Sequence, residues 1–140
     1  MRKTVLAAVI LALASVTASA QEIVLKAGHA AAATEPFHKG FERFAELVGE
    51  KSGGKIKIEI FPSGQLGTER EMIEQMIVGT LDFETGASAF WTNFVPEMKP
   101  LDVPYLVQGW DHMGRVQQSP EVLALINKFA NPKGLRVLGL

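Results

Sequence analysis

The strongest constraint on this chain is a change of hydrophobic period, from two to 3.6 and back, repeated along its length. Residues 23–27 (IVLKA) are a short β-branched run bounded by Gly28, which predicts a buried strand. Phe37, Phe41, Phe44, Ala45 and Val48 then share one helical face, with Thr34 as the predicted cap, Glu35 and Pro36 in the first turn, and Ser52-Gly53-Gly54 as the stop. Residues 55–61 (KIKIEIF) alternate, with Ile56, Ile58 and Ile60 on one side and Lys57 and Glu59 on the other, which predicts a strand at or near a sheet edge. Thr68 and Glu71 form a capping box that opens a second helix, expected to bury Met72, Ile73, Met76 and Ile77 and to end at Gly79. Residues 81–85 (LDFET) make a third strand. Strand, helix, strand, helix, strand with short connections is the pattern of an α/β fold, a mainly parallel sheet covered by helices.

The remainder is less regular. Pro96, Pro100 and Pro104 break up residues 94–109, which predicts an ordered, apolar, irregular excursion. Asp111 is expected to cap a short helix to Gln118, Ser119 and Pro120 to open another over residues 121–129, and residues 135–140 (LRVLGL) to form a fourth strand. Nothing follows that strand to cover the sheet, so the chain is expected to be part of a longer protein.

The first twenty residues belong to a different class of segment. Arg2 and Lys3 precede an uninterrupted apolar run over residues 5–14, and Ala18-Ser19-Ala20 places small side chains before Gln21. Crossing a bilayer takes about 20 apolar residues and this run is about half of that, so a cleaved secretory signal peptide is expected rather than an anchor. The mature chain, residues 21–140, is then expected in the periplasm, with no direct membrane insertion. Removing Arg2 and Lys3 from the 14 bases leaves 12 against 15 acids, and such a chain offers no concentrated basic surface to nucleic acid. The absence of cysteine excludes disulfides, thiol nucleophiles and Cys-based zinc sites.

In an open parallel sheet ligands collect at the carboxyl ends of the strands. Here those ends lead to helix starts near Thr34, Thr68 and Ser88, whose free N–H groups favour an anion. The loops are small-residue stretches, residues 30–33 and Gly86-Ala87-Ser88-Ala89, that let a ligand approach the backbone. His29 lies at the first strand's end and is a candidate ligand contact, whereas His38 is expected to face solvent or polar neighbours. Phe90 and Trp91 are candidates for an aromatic wall. A strand followed by Gly86-Ala87-Ser88-Ala89-Phe90 also suggests a secreted α/β hydrolase using Ser88, with Asp102 and His112 as conceivable partners. Phe90 stands where a nucleophile elbow needs glycine, and no pattern places Asp102 or His112 beside Ser88, so that alternative is the weaker one. His29 and His38, nine apart with no carboxylate cluster, form no metal motif, and no glycine-rich phosphate motif is present, so no metal or cofactor is expected.

Taken in order, residues 23–28, Gly53-Gly54-Lys55-Ile56, Phe61-Pro62-Ser63-Gly64-Gln65-Leu66-Gly67, Val78-Gly79-Thr80-Leu81-Asp82-Phe83 and Leu101-Asp102-Val103-Pro104-Tyr105-Leu106 resemble the DctP-type solute receptors of tripartite ATP-independent periplasmic (TRAP) transporters. The resemblance runs over essentially the whole mature chain and is specific in combination. It implies a periplasmic-binding-protein-like lobe, with the second lobe largely absent from this chain. It further implies a non-enzymatic receptor that encloses a small organic acid, a carboxylate, and delivers it to membrane permease subunits of a TRAP transporter. Carried over by position, ligand contacts would come from His29, Ala30, Glu69, Ala87 and Phe90, beside Ser88 and Trp91 from the loop itself. The arginine that clamps the ligand carboxylate is expected beyond residue 140, and that role is not transferred to Arg136. Receptors of this type for sialic acid carry glutamate at the position of Ala87 and arginine at that of Phe90, so a smaller or more apolar acid is implied here.

Overall fold

The computed structural model describes residues 23–140; the predicted leader lies outside them. Three parallel strands, β1 (Ile23–Gly28), β2 (Ile56–Phe61) and β3 (Phe83–Glu84), form a sheet in the order β2-β1-β3. β1 pairs with β2 along its full length, from Ile23 opposite Ile56 to Gly28 opposite Phe61. It meets β3 only at its carboxyl end, through Ala27 opposite Phe83 and Gly28 opposite Glu84. β2 is therefore an edge strand, as its alternation indicates, with Ile58 buried and Lys57 exposed. The short β3 corrects the expectation for β1. Ala27 and Gly28 are buried, but Ile23 and Val24 are exposed because the flanking strand never reaches them.

Helix α1 (Pro36–Lys51) connects β1 to β2 and packs on β2. Its N-cap position is Glu35, not Thr34, and no side chain caps it; Pro36 in the first turn needs no N–H partner. Its end uses the predicted glycines: Gly53 and Gly54 take φ of 62° and 76°, and the Ser52 hydroxyl donates to the Gly49 carbonyl and accepts from the Ile56 amide, both at 3.1 Å. The turn thus feeds the chain straight into β2.

Helix α2 (Glu69–Val78) opens with the predicted capping box. Glu71 accepts from the Thr68 amide at 2.7 Å while the Thr68 hydroxyl accepts from the Glu71 amide, and the helix closes on Gly79 at φ 79°. Met72 and Ile73 are fully buried, but Ile77, expected inside, is 40% exposed. In the last turn of α2, Met76 packs against the core cluster while Ile77 and Val78 face outward, and the Gln75 carbonyl accepts from the Thr80 amide in the turn that follows. Ile73 joins Val95, Met98, Ile126, Ala130 and Leu135 in the main hydrophobic cluster.

After β3 come helix α3 (Ser88–Trp91), a 3-10 segment (Pro96–Asp102), α4 (Trp110–Gln117) and α5 (Pro120–Ala130). The proline-rich stretch is ordered and irregular, as its sequence indicates, anchored by buried Met98. Gly109, not Asp111, occupies the N-cap position of α4. Ser119 caps α5 by accepting from the Val122 amide at 3.2 Å. The expected fourth strand is not formed. Residues 135–140 pair with no strand; instead the Asn127 side chain takes both the Val137 amide and its carbonyl, each at 2.8 Å.

Candidate functional site: a crevice at the carboxyl edge of the sheet

Because the strand order reverses across β1, the loops leaving the sheet diverge and open a crevice at its carboxyl edge. A cavity of about 1110 Å³ lies there. Its walls include Ala31 after β1, Glu69 at the start of α2 and the loop from Thr85 through Ser88, with Trp91 from α3. Four of the residues singled out from sequence, Glu69, Ala87, Ser88 and Trp91, are thus brought together. Ala30 and Phe90 are exposed and outside this wall; Ala31 stands where Ala30 was expected.

His29 is fully buried behind the wall. Its Nε2 lies 3.0 Å from His38 Nδ1, one ring donating and the other accepting, and His38 Nε2 lies 3.3 Å from Glu42 Oε1. His38 is thus turned to polar neighbours rather than to solvent. The main chain around His29 ties two loops: its amide donates to the Phe61 carbonyl, its carbonyl accepts from Gly64, and the Ala31 carbonyl accepts from Ser63. Burial first, then the neighbouring His38, hold the His29 pKa below the usual histidine value, against an opposing Ala31 main-chain contact. His29 is a neutral strut that fixes the exit of β1 against that of β2.

Ser88 is the first residue of α3, and Ala87 occupies the cap position. With only four residues, α3 supplies little of the helix-terminus field expected near Ser88. The Ser88 hydroxyl donates to Asp102 Oδ1. Asp102, named from sequence as a conceivable partner that no pattern placed, does lie beside Ser88, and the contact clamps the crevice loop to the 3-10 segment. It is not a catalytic relay, which needs a histidine on the serine. His112 Nδ1 instead accepts from the Gln108 amide at 3.2 Å.

Two residues of the wall escaped sequence reasoning. Among the described residues Arg136 is the only cation lining the cavity. It sits on the run read as a strand, where alternation assigns a face but no crevice. Glu84, on β3, lines the cavity with both carboxylate oxygens shut off from solvent and with no partner in good hydrogen-bond geometry, the Trp91 side chain making a looser approach. Burial first and the Glu69 charge second push its pKa up to about 8, with Trp91 acting weakly in the other direction. The one available signal was an acid on a short apolar strand; Asp82, just before that strand, accepts from the Lys26 amide at 2.8 Å. Among the described residues no group of three or more His, Cys, Asp or Glu side chains is placed to hold a metal ion, and no helix is long and apolar enough to cross a membrane.

The α/β lobe thus carries a crevice with small residues at Gly86 and Ala87, a few polar groups, and large apolar side chains such as Phe41, Phe44 and Met98, the kind of concave, mainly apolar surface that small-molecule sites use. The chain belongs to the DctP family, bacterial extracellular solute-binding protein family 7, which it matches over residues 27–140. It is 40% identical over 106 residues to a solute-binding protein of Roseobacter denitrificans, covering 75% of this chain and 32% of that relative. Among solved structures it is similar to a TRAP periplasmic solute-binding protein of Polaromonas bound to D-erythronate, with a TM-score of 0.76 and 32% identity over 81% of this chain and 37% of that one. A second, from Sulfurospirillum deleyianum with bound succinate, gives a TM-score of 0.71 and 29% identity over 81% of this chain and 36% of that one. The chain spans about a third of the length of the curated relatives it matches.

Proposed function

We propose that the chain contributes one wall of the binding site of a periplasmic receptor for a small organic acid, which it hands to a TRAP-type secondary transporter. The observation that carries this reading is the crevice itself, at the switch in strand order and walled by Glu69, Ala87, Ser88 and Trp91, in a chain of the DctP family. Small side chains at Gly86 and Ala87 leave room for a carbon skeleton, and the α2 N-terminus beside Glu69 offers N–H groups to its oxygens. His29 acts behind this wall by holding the loop. The positive charge that pairs with the carboxylate comes from the part of the site this chain does not include. The reading is of a receptor rather than an enzyme, because the relatives of the chain are solute-binding proteins.

Residues 1–20 are proposed to be a leader removed at Ala20, which delivers the mature chain, residues 21–140 onward, to the periplasm. Mass spectrometry of periplasmic protein is expected to find Gln21 at the N-terminus; a membrane-bound form that keeps residues 5–14 would contradict it.

The binding reading is tested by isothermal titration of the full-length protein with succinate, D-erythronate and D-glucuronate, run beside hydrolysis of p-nitrophenyl acetate. Saturable binding of at least one acid, without ester turnover, is expected. Ester hydrolysis that disappears in Ser88→Ala, with no acid bound, would favour the hydrolase.

A further inference from the structure

His29 and His38 form a buried pair whose protons can be counted from geometry. Glu42 Oε1 stands 3.3 Å from His38 Nε2, and its negative charge favours a proton on that nitrogen. His38 Nδ1 and His29 Nε2, 3.0 Å apart, hold one proton between them. Two neutral imidazoles carry two ring N–H protons in all, and these two places use both. His29 Nδ1 is left bare, buried and without a hydrogen-bond partner. A further proton has no other nitrogen to enter.

That ring stands where two loops are tied. It contacts the Ala31 main chain, and Ala31 lines the crevice. The His29 amide donates to the Phe61 carbonyl at 3.2 Å, the Gly64 amide donates to the His29 carbonyl at 3.1 Å, and the Ser63 amide donates to the Ala31 carbonyl at 2.9 Å. Ser63 holds the left-handed backbone at φ 56°, which a non-glycine residue keeps only when its surroundings impose it.

A proton on His29 Nδ1 makes a buried cation with no carboxylate bonded to it. From α1 the ring faces His38, with Glu42 beyond it, and the Phe41 ring at 5.9 Å between centroids. The β2 exit presents main chain, α2 brings Met72 beside Gly28, and Glu84 of β3 lies opposite Gly28 in the sheet. Burying an imidazolium there is costly, and opening the loop to water relieves the cost.

We propose that the loop after β1 carries an acid-released latch: Glu42 and His38 fix the His29 ring with Nδ1 as its vacant nitrogen, and a proton taken up there loosens the ties between the crevice wall and the exit of β2. His38 is then a positioning residue that acts on the wall through His29. The lowered His29 pKa, from burial first and His38 second, agrees in direction, since the closed loop takes a proton less readily than the open one. The latch needs no ligand and does not depend on the organic-acid reading.

The test uses the full-length protein without ligand, labelled with nitrogen-15. At pH 8 the ring signals, assigned by their loss in His29→Gln and His38→Gln, are expected to show the proton on Nε2 of both rings. A proton on His29 Nδ1 at that pH overturns the inference. Hydrogen exchange of the Ser63 and Gly64 amides, corrected for its intrinsic pH dependence, is then followed from pH 8 to pH 5. Protection is expected to hold above the ordinary histidine pKa of about 6.5 and to fall below it, approaching tenfold per pH unit until the closed loop itself takes the proton. His29→Gln keeps an N–H donor for His38 and cannot titrate, so its protection is expected to stay flat. His38→Gln keeps an acceptor for His29 and removes the second ring's charge, so the His29 midpoint is expected to rise and the fall in protection to shrink. A flat profile in the parent, or a fall in His29→Gln as steep as the parent's, overturns the latch. If His29→Gln does not fold, His38→Gln decides: an unmoved His29 midpoint with an unchanged fall overturns it as well.

Discussion

At the scale of single residues the crevice is governed by small side chains and by one buried acid. Ala87 is exposed to the crevice and touches no charge partner, so a larger side chain there takes volume from the ligand without disturbing the core. Ala87→Leu in the full-length protein is expected to weaken binding by about 1 to 3 kcal/mol for the bulkiest acids and least for succinate, with the melting temperature nearly unchanged. Titration calorimetry across acids of graded size reads this; a uniform loss, or a large fall in melting temperature, would place Ala87 in the core. Glu84 gives a separate prediction in the absence of ligand. Its folded pKa of about 8 lies above the ordinary 4.5, so its contribution to stability is fully present below about 4.5 and is lost as pH rises through 8. Urea midpoints are expected to fall between pH 6 and pH 9, and Glu84→Gln to remove most of that fall; an equal fall in the variant would contradict it. The place of Ala87, Ser88 and Trp91 at the crevice was legible in the sequence because a strand end followed by small and aromatic residues is a local pattern, whereas Glu69 came only from the family resemblance. Glu84 was not, because its partner is fifteen positions away on another element, and the Ser88–Asp102 contact depends on the path of the 3-10 segment.

At the scale of elements, those with their own start and stop signals formed where the sequence indicates. The capping box of α2, the Ser52 and Gly53-Gly54 turn after α1 and the Ser119 cap of α5 are local hydrogen-bond chemistry that needs no distant partner. Residues 135–140 show the opposite case. Their apolar alternation suits a strand, but a strand exists only if a neighbour pairs with it, and here the Asn127 side chain takes that backbone instead. β3 is shorter than its five-residue pattern for the same reason, since β1 offers it only Ala27 and Gly28. The anchoring of α2 carries the position of Glu69. Ile73 is fully buried in the cluster with Val95, Met98 and Ile126, so Ile73→Ala is expected to cost about 2 to 5 kcal/mol in chemical denaturation and to weaken acid binding by loosening the α2 start. A loss below about 1 kcal/mol would mean that α2 does not depend on this cluster.

At the scale of the whole molecule, strand order β2-β1-β3 places the crevice, and the loops it separates determine what the crevice holds. His29, buried and bonded to His38, locks the β1 and β2 exits together, while Ser88 and Asp102 lock the β3 exit to the 3-10 segment. Both pairs make the wall a preformed surface, which lowers the ordering cost of binding. The central claim is that this wall faces an organic acid. It is tested most directly by a crystal structure of the full-length protein grown with the tightest-binding acid of the calorimetric panel. The acid is predicted to lie against residues 85–88 and Trp91. An acid bound elsewhere, or a crevice filled by the protein's own side chains, would contradict the account.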